Sequence, residues 1–151
     1  MSNITLEISL GKGNFGGVYQ GFAYGLFYPG SETKVAIKTV NNTFDPAQFD
    51  SLFCELKVLA NLDNHPNLVN MLASCTSQIG NGKLWLLLEF CPHGDLKNFL
   101  IKHRKEFIES IKKKIAIKGL HHKLFLQWSH NIAKGRDLST ILKLGMITIF
   151  P

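Results

Sequence analysis

The chain lacks any apolar run of the roughly 18–20 residues that a membrane-spanning helix requires. Its first eight residues contain no basic segment followed by an apolar one, so no secretion signal is predicted. Cysteine is scarce, with three in 151 residues, an odd number without the spacing of metal ligands. These absences exclude a disulfide framework and a zinc site. They predict a cytoplasmic protein in which Cys54, Cys75 and Cys91 are free, buried thiols.

Acidic residues are outnumbered, with 11 against 17 basic residues, and the net charge is +6. The excess lies late in the chain, between Lys102 and Lys123. Such a patch can bind nucleic acid or an acidic membrane, but it also occurs on a solvated helix end and loop. No signature of a nucleic-acid-binding fold accompanies it, so the solvated surface is favoured and no nucleic-acid partner is predicted.

A glycine-rich segment, residues 11–18, lies between two predicted strands at residues 4–10 and 17–23. A dinucleotide-binding site would need a helix directly after the glycines, but Gly16 and Gly17 lead into a strand pattern. In a hairpin, glycines let the backbone close over phosphates without Cβ clashes, and their N–H groups can face an anion. The segment therefore predicts a phosphate-binding hairpin. A dinucleotide-binding oxidoreductase is the least favoured of the functional hypotheses.

A third predicted strand, residues 34–40, carries a lysine on the same face as a small residue. Ala36 and Lys38 are two residues apart and so share a face. Ala36 would leave room for a flat base, while Lys38 would reach the phosphates of the same ligand. Glu55 follows 17 residues later beside the apolar stripe of a predicted helix. A carboxylate near a core needs a partner, and Lys38 is favoured over Lys57 or solvent.

The remaining pattern predicts two more strands and then helices. Asp45-Pro46 is a helix start, and Asp95 can cap a second helix. Short turns between consecutive strands imply an antiparallel sheet with a helix packed on it, an α+β fold. The other predicted segments are strands at 68–75 and 84–90, a turn at 80–82, a basic linker at 108–122, and a helix from about 123 whose pattern decays after 135.

Taken together, these motifs match the signature set of protein kinases. The chain resembles receptor tyrosine kinases, most closely the vascular-endothelial and platelet-derived growth factor receptor branch. That resemblance implies an N-terminal lobe of five antiparallel strands and one helix, with ATP pocket and hinge, over residues 1–91. Partial C-terminal-lobe helices and the basic linker would occupy 92–140, and the apolar tail 141–151 is unassigned. The segments that carry the branch resemblance are residues 67–76, 89–91, 94–100, 102–107 and 126–135.

The resemblance also implies a ligand, ATP, and a set of site residues. Lys38 would contact the α- and β-phosphates and Glu55 would hold Lys38, which makes these two the predicted catalytic residues. Asp95 could reach the ribose, with its helix cap as the alternative role. The adenine site would comprise Leu10, Val18, Ala36, Leu88, Glu89 and Cys91, and the phosphate cover Gly11, Gly13, Phe15 and Gly16. The parent activity would be ATP-dependent phosphorylation of protein tyrosine, in the cytosolic part of a plasma-membrane receptor.

Phosphoryl transfer further needs an aspartate to orient the hydroxyl, and an asparagine and an aspartate on Mg²⁺. No aspartate here is followed by Phe-Gly, and His103-Arg104 is followed by Lys105 rather than aspartate. Arg136-Asp137-Leu138 comes closer to a catalytic loop, but Gly135 stands where a histidine is expected. Either these residues are the end of the preceding helix, or a skipped segment joins that helix to a catalytic-loop remnant.

The Mg²⁺ ligands of the complete domain are therefore predicted to be absent, and no metal site is expected. Two functional hypotheses follow. The chain is a kinase domain truncated before its catalytic loop, which binds ATP weakly and transfers no phosphate. Alternatively it is a pseudokinase-like module that pairs with other kinase domains and lacks catalysis. In either case the apolar face of the last helix, with Leu124, Trp128 and Ile132, is expected to have few partners and to invite association.

Overall fold

A computed structural model describes four stretches of the chain: residues 3–13, 16–40, 45–113 and 122–142. The chain divides into two compact units. The first is formed by Met1–Asn64 and Val69–Phe90, and the second by His65–Leu68 and Cys91–Pro151. None of the helices within the described stretches is long and apolar enough to cross a bilayer.

The first unit is built on an antiparallel sheet of five strands, as the sequence predicts. The strands are β1 (Ile4–Gly13), β2 (Gly16–Tyr24), β3 (Glu32–Thr39), β4 (Met71–Cys75) and β5 (Trp85–Glu89). The strand order is β1-β2-β3-β5-β4, so β3 pairs with β5 and β4 lies at an edge. Together with the helices, this sheet makes the fold α+β.

Two strand boundaries differ from the predicted ones by three residues, and the others differ by at most two. β1 continues to Gly13 instead of ending at residue 10, because the glycine hairpin keeps pairing until Gly13 lies opposite Gly16. β4 begins at Met71 instead of residue 68, because the preceding residues form a turn in which the Leu68 N–H donates to the His65 carbonyl. The predicted strand began too early because the residues just before Met71 include apolar side chains, which a strand and a turn can both contain.

Helix α1 (Pro46–Ala60) begins where the sequence predicts. The Asp45 carboxylate accepts hydrogen bonds from the N–H groups of Ala47 and Gln48, and Pro46 occupies the first turn. The Gln48 side chain reaches back to the other carboxylate oxygen of Asp45, at 2.9 Å. The helix buries Leu52 and Leu59. Its apolar stripe therefore faces the interior, which fixes the side on which Glu55 can approach the sheet.

The core of the first unit lies around the middle of β3. Val35 and Ile37 are fully buried and cluster with Ala23 and Leu87. Partly buried apolar side chains surround this cluster: Ile4, Leu26, Leu72, Ala73 and Trp85. Val35 and Ile37 alternate with Ala36 and Lys38, so the strand directs Val35 and Ile37 to this cluster. The predicted ligand-binding residues lie on the other face, where Leu86 and Leu88 are also buried.

The second unit contains helix α2 (Leu96–Lys113) and helix α3 (His122–Leu142). The expectation that the α3 face would have few partners is wrong for Trp128, which is only 3% exposed. Its indole packs edge-on against Phe99 at 5.9 Å and Phe125 at 5.4 Å between ring centroids. Phe107 and Phe125 lie 4.8 Å apart, so aromatic rings join α2 to α3.

Both helices are longer than predicted. The predicted linker is wrong over residues 108–113, which belong to α2, because lysine, glutamate and isoleucine there include strong helix formers and no glycine or proline intervenes. α3 continues to Leu142, so Arg136-Asp137-Leu138 lies within a continuous helix. This backbone course corresponds to the first of the two explanations above, in which these residues are the end of the helix.

The three cysteines form no disulfide, but the expectation that they are buried is wrong for all three. Cys54 is exposed on α1, whereas Cys75 and Cys91 are half-buried. The helical period explains the error for Cys54, since the buried stripe of α1 passes through Leu52 and Leu59 and leaves residue 54 on another face.

Candidate functional site

The strand register brings several predicted ligand-binding residues to one face of the sheet. Val18 pairs with Lys38 on β2 and β3, and Ala36 pairs with Leu88 on β3 and β5. Directly opposed residues of antiparallel strands project to the same side, and Ala36 and Lys38 share a side by alternation. Val18, Ala36, Lys38 and Leu88 therefore form one surface, with the small, nearly buried Ala36 at its centre.

The predicted ion pair between Lys38 and Glu55 is present. The Lys38 Nζ lies 2.8 Å from Glu55 Oε1 and 2.5 Å from Oε2, which joins β3 to α1. The lysine side chain is 30% exposed and the glutamate side chain 14%, so the pair is partly shielded from water. Because an ammonium group has three N–H donors, Lys38 can contact Glu55 and an anionic ligand together.

The glycine hairpin is tightly packed at Gly16 and has open space beside Gly11. Gly13 pairs with Gly16, and a Cβ atom on Gly16 would clash with the Thr39 carbonyl oxygen. At Gly11, in contrast, a Cβ would meet no protein atom within 4 Å. The absence of side chains at Gly11 leaves room beside the backbone, as a bound phosphate chain requires. The predicted role of Phe15 concerns a residue outside the described stretches.

Leu10, the predicted adenine contact on β1, lies in an irregularity of the strand. The pairing shifts between Ser9, opposite Tyr19, and Gly11, opposite Val18, so Leu10 is an extra residue of a bulge. Bulges redirect side chains at the edges of sites. The Leu10 side chain is 48% exposed, which leaves apolar surface available to a ligand.

Glu89 is held by Asn70, a contact that the sequence did not predict. Its N–H donates to the Asn70 carbonyl at 3.1 Å, and its carboxylate accepts from the Asn70 N–H at 3.2 Å and the Asn70 Nδ2 at 3.1 Å. A base edge can therefore use at most the carbonyl oxygen of Glu89. No local pattern signals this contact, since the two residues are 19 apart and meet only when β4 and β5 pair.

Cys91 and Asp95 belong to the second unit. The Cys91 carbonyl accepts the Gly94 N–H at 3.1 Å, and Gly94 has a positive φ of 71° that favours glycine. Asp95 caps α2: Oδ1 accepts the Asn98 N–H at 2.9 Å and Oδ2 accepts the Asn98 Nδ2 at 2.7 Å. The structure thus shows the cap role of Asp95, and its ribose contact stays a prediction.

The cap makes a prediction about pH. The hydrogen bonds from the Asn98 backbone and side chain lower the pKa of Asp95 below its ordinary 3.8. The stabilisation of α2 by the charged cap is therefore complete above pH 3.8 and is lost as the pH falls through the lowered pKa. By NMR, the Asn98 amide proton should titrate with a midpoint below 3.8, and Asp95→Asn should abolish that titration while keeping a cap. A midpoint at or above 3.8 would contradict the assignment.

Comparisons with known proteins show the family of this chain. Residues 4–138 match the family model described as protein tyrosine and serine/threonine kinase. The chain is 39% identical over 122 residues to the human platelet-derived growth factor receptor alpha. The matched region covers 78% of this chain and 11% of the receptor. It is 37% identical over 107 residues to the beta receptor of Takifugu rubripes, which covers 71% of this chain and 10% of that receptor.

A third relative is also named as a receptor. The macrophage colony-stimulating factor 1 receptor of Danio rerio is 38% identical over 108 residues, which cover 72% of this chain and 11% of that receptor. The chain thus spans about a tenth of the length of the curated relatives it matches. It belongs to the protein tyrosine and serine/threonine kinase family, as part of a kinase domain related to receptor tyrosine kinases.

Proposed function

We propose that this chain is the ATP-binding part of a receptor-type protein tyrosine kinase and that the nucleotide binds on the Lys38 face of the sheet. The observation that carries the proposal is the ion pair between Lys38 and Glu55, at 2.8 Å, on the same sheet face as Ala36. A lysine held in this way presents a fixed positive charge beside an apolar surface. Nucleotides combine a flat base with a phosphate chain, so this arrangement complements both parts.

Each residue on this face has a role in the proposal. The base lies against Val18, Ala36 and Leu88, where the small side chain of Ala36 allows close approach. The phosphates lie under the glycine hairpin, where backbone N–H groups and Lys38 bind them. Glu55 is a positioning residue, since it holds the Lys38 ammonium without touching the nucleotide. Contacts from Cys91 and Asp95 remain predictions of the family resemblance.

Phosphoryl transfer is proposed for the complete receptor domain, on the cytosolic side of the plasma membrane. In that domain Mg²⁺ shields the phosphate charges of ATP. The described part of this chain has no cluster of three or more histidine, cysteine or carboxylate side chains, and the 151 residues contain no Asp-Phe-Gly. We propose that these residues alone bind nucleotide and do not transfer phosphate to a tyrosine peptide at a useful rate.

Thermal unfolding with Mg·ATP tests the proposed site. At ten times the dissociation constant, ATP should raise the midpoint by about 3–6 °C. Lys38→Met should remove most of this shift, because it deletes the phosphate contact. Lys83→Met is the matched control, since Lys83 is an exposed lysine just before β5 and should keep the shift.

Two outcomes would overturn parts of the proposal. A thermal shift that survives Lys38→Met unchanged would place the nucleotide elsewhere. Phosphate transfer to a tyrosine peptide by the purified 151-residue chain would refute the claim that it is inactive. Association with an intact kinase domain, in the absence of any Mg·ATP shift, would instead favour a partner-binding, pseudokinase-like module.

A further inference from the structure

One face of α2 alternates cations with exposed isoleucines. Lys97, Ile101, Arg104 and Ile108 are spaced i, i+4, i+7 and i+11, so they lie within about 60° of the helix circumference. All four side chains are exposed, with Ile101 at 62% and Ile108 at 39%. We call these four residues the Ile101 face. Two exposed isoleucines on one helix face are an apolar surface that water hydrates unfavourably.

Of the two cations on this face, Lys97 interacts electrostatically with the Asp95 cap, whereas Arg104 is not offset by the acidic residues described on α2. Glu106 lies about 150° or more from the centre of the face, and Glu109 about 110°. The Glu106 carboxylate lies 2.9 Å from His103 Nδ1, on the far side of the helix. Within the described stretches, Arg104 has no carboxylate within ion-pair distance. The guanidinium of Arg104 therefore has capacity for an external anion.

Beside the Ile101 face, α2 and α3 enclose an open groove of about 280 Å³. Its walls are apolar apart from one guanidinium group. The lining residues are Leu100, Ile101, Arg104, Phe107 and Phe125. A concave groove receives protruding side chains, whereas a bilayer surface offers no comparable protrusions. The groove thus distinguishes a protein segment from a lipid surface as the occupant.

We propose that the Ile101 face and this groove bind an acidic amphipathic helix of a partner protein. The partner's apolar stripe would cover Ile101 and Ile108 and place a side chain in the groove, and its carboxylates would pair with Lys97 and Arg104. Helices dock in apolar grooves through residues at i, i+3, i+4 and i+7. The charge complementarity supplies specificity for an acidic partner and excludes a basic one. This surface belongs to the second unit, whereas the proposed nucleotide face belongs to the first.

The test measures binding of a labelled peptide to the full 151-residue chain by fluorescence anisotropy. The probe is a helical peptide of about 20 residues with a leucine stripe flanked by glutamates, and the control peptide has lysine in place of each glutamate. The acidic peptide should bind and the basic peptide should not. Arg104→Glu and Ile101→Ser should each weaken binding at least about fivefold.

Lys102→Glu is the matched charge control. Lys102 is exposed on the same helix but about 130° from the centre of the Ile101 face, so its reversal should change binding less than about twofold. The helical content of each variant, measured by circular dichroism, shows whether α2 is retained. Equal weakening by Lys102→Glu and Arg104→Glu would mean that net charge alone drives binding, and would overturn the proposal.

Other outcomes would also overturn it. Failure of the acidic peptide to bind would exclude this class of partner. Binding to phosphatidylserine vesicles that is lost in Ile101→Ser, with no peptide binding, would assign the face to an anionic membrane instead. Mg·ATP binding can be measured in the same samples, so failure of this proposal is distinguishable from failure of the nucleotide site.

Discussion

Ile37→Ala is expected to lower the free energy of unfolding of the first unit by about 2–5 kcal/mol. Ile37 is fully buried in the middle of β3, clustered with Ala23, Val35 and Leu87. Removing three carbon atoms there forfeits their burial and leaves a cavity that strands held in register cannot easily close. Because domains are stable by only about 5–15 kcal/mol, the variant should be close to unfolding at room temperature.

Ile101→Ala is the matched control for this loss. The same atoms are removed, but the Ile101 side chain is 62% exposed on α2. Its effect on the free energy of unfolding should stay within about 0.5 kcal/mol. Urea denaturation is followed by the fluorescence of Trp85, which packs against the Ile37 cluster and reports the first unit, and by far-ultraviolet circular dichroism, which also reports α2. The Trp128 signal is removed by making all variants in a Trp128→Phe background. Similar losses for Ile37→Ala and Ile101→Ala would contradict the assigned core.

Gly16→Ala is expected to destabilise the protein by about 1–3 kcal/mol and to reduce nucleotide binding. A Cβ atom at this position clashes with the Thr39 carbonyl, a backbone atom next to Lys38. Relief requires β2 and β3 to move apart, which disturbs their pairing at the end of the strand that carries Lys38. The substitution should therefore lower both the unfolding midpoint and the Mg·ATP shift.

Gly11→Ala separates the two effects of adding a methyl group to the hairpin. No protein atom lies within 4 Å of a Cβ at Gly11, so stability should be unchanged or slightly raised by reduced unfolded-state entropy. A bound phosphate chain is then the group that the methyl would meet. Unchanged stability with weaker Mg·ATP binding is the expected result. A loss of stability as large as that of Gly16→Ala would contradict the finding that no protein atom lies within 4 Å of a Cβ at Gly11.

The parts that sequence could predict are those fixed by local spacing. Lys38 and Ala36 are two residues apart in a β-branched strand, so their common face follows from the strand period. Asp45 and Pro46 mark the start of α1 by cap chemistry, which the structure confirms. The Lys38–Glu55 pair was predictable because a partly buried carboxylate needs a cation and Lys38 offered one.

The parts that escaped prediction depend on contacts distant in sequence. The hydrogen bonds between Glu89 and Asn70 exist only because β4 pairs with β5. Trp128 is buried because α2 and α3 pack together, which brings Phe99 of α2 to 5.9 Å from the indole between ring centroids. The length of α2 was missed because a run of lysines fits both a solvated linker and an exposed helix face, and composition does not distinguish them.

Covalent labelling with an acyl-phosphate derivative of ATP tests the central claim most directly. A lysine amine near the phosphates attacks the acyl carbonyl, forms an amide and releases the nucleotide, and mass spectrometry then identifies the lysine. The account predicts labelling of Lys38 that excess ATP suppresses, with Lys83 labelled only at background. Labelling of Lys38 no stronger than that of Lys83, or labelling that ATP does not suppress, would contradict a nucleotide site on this face of the sheet.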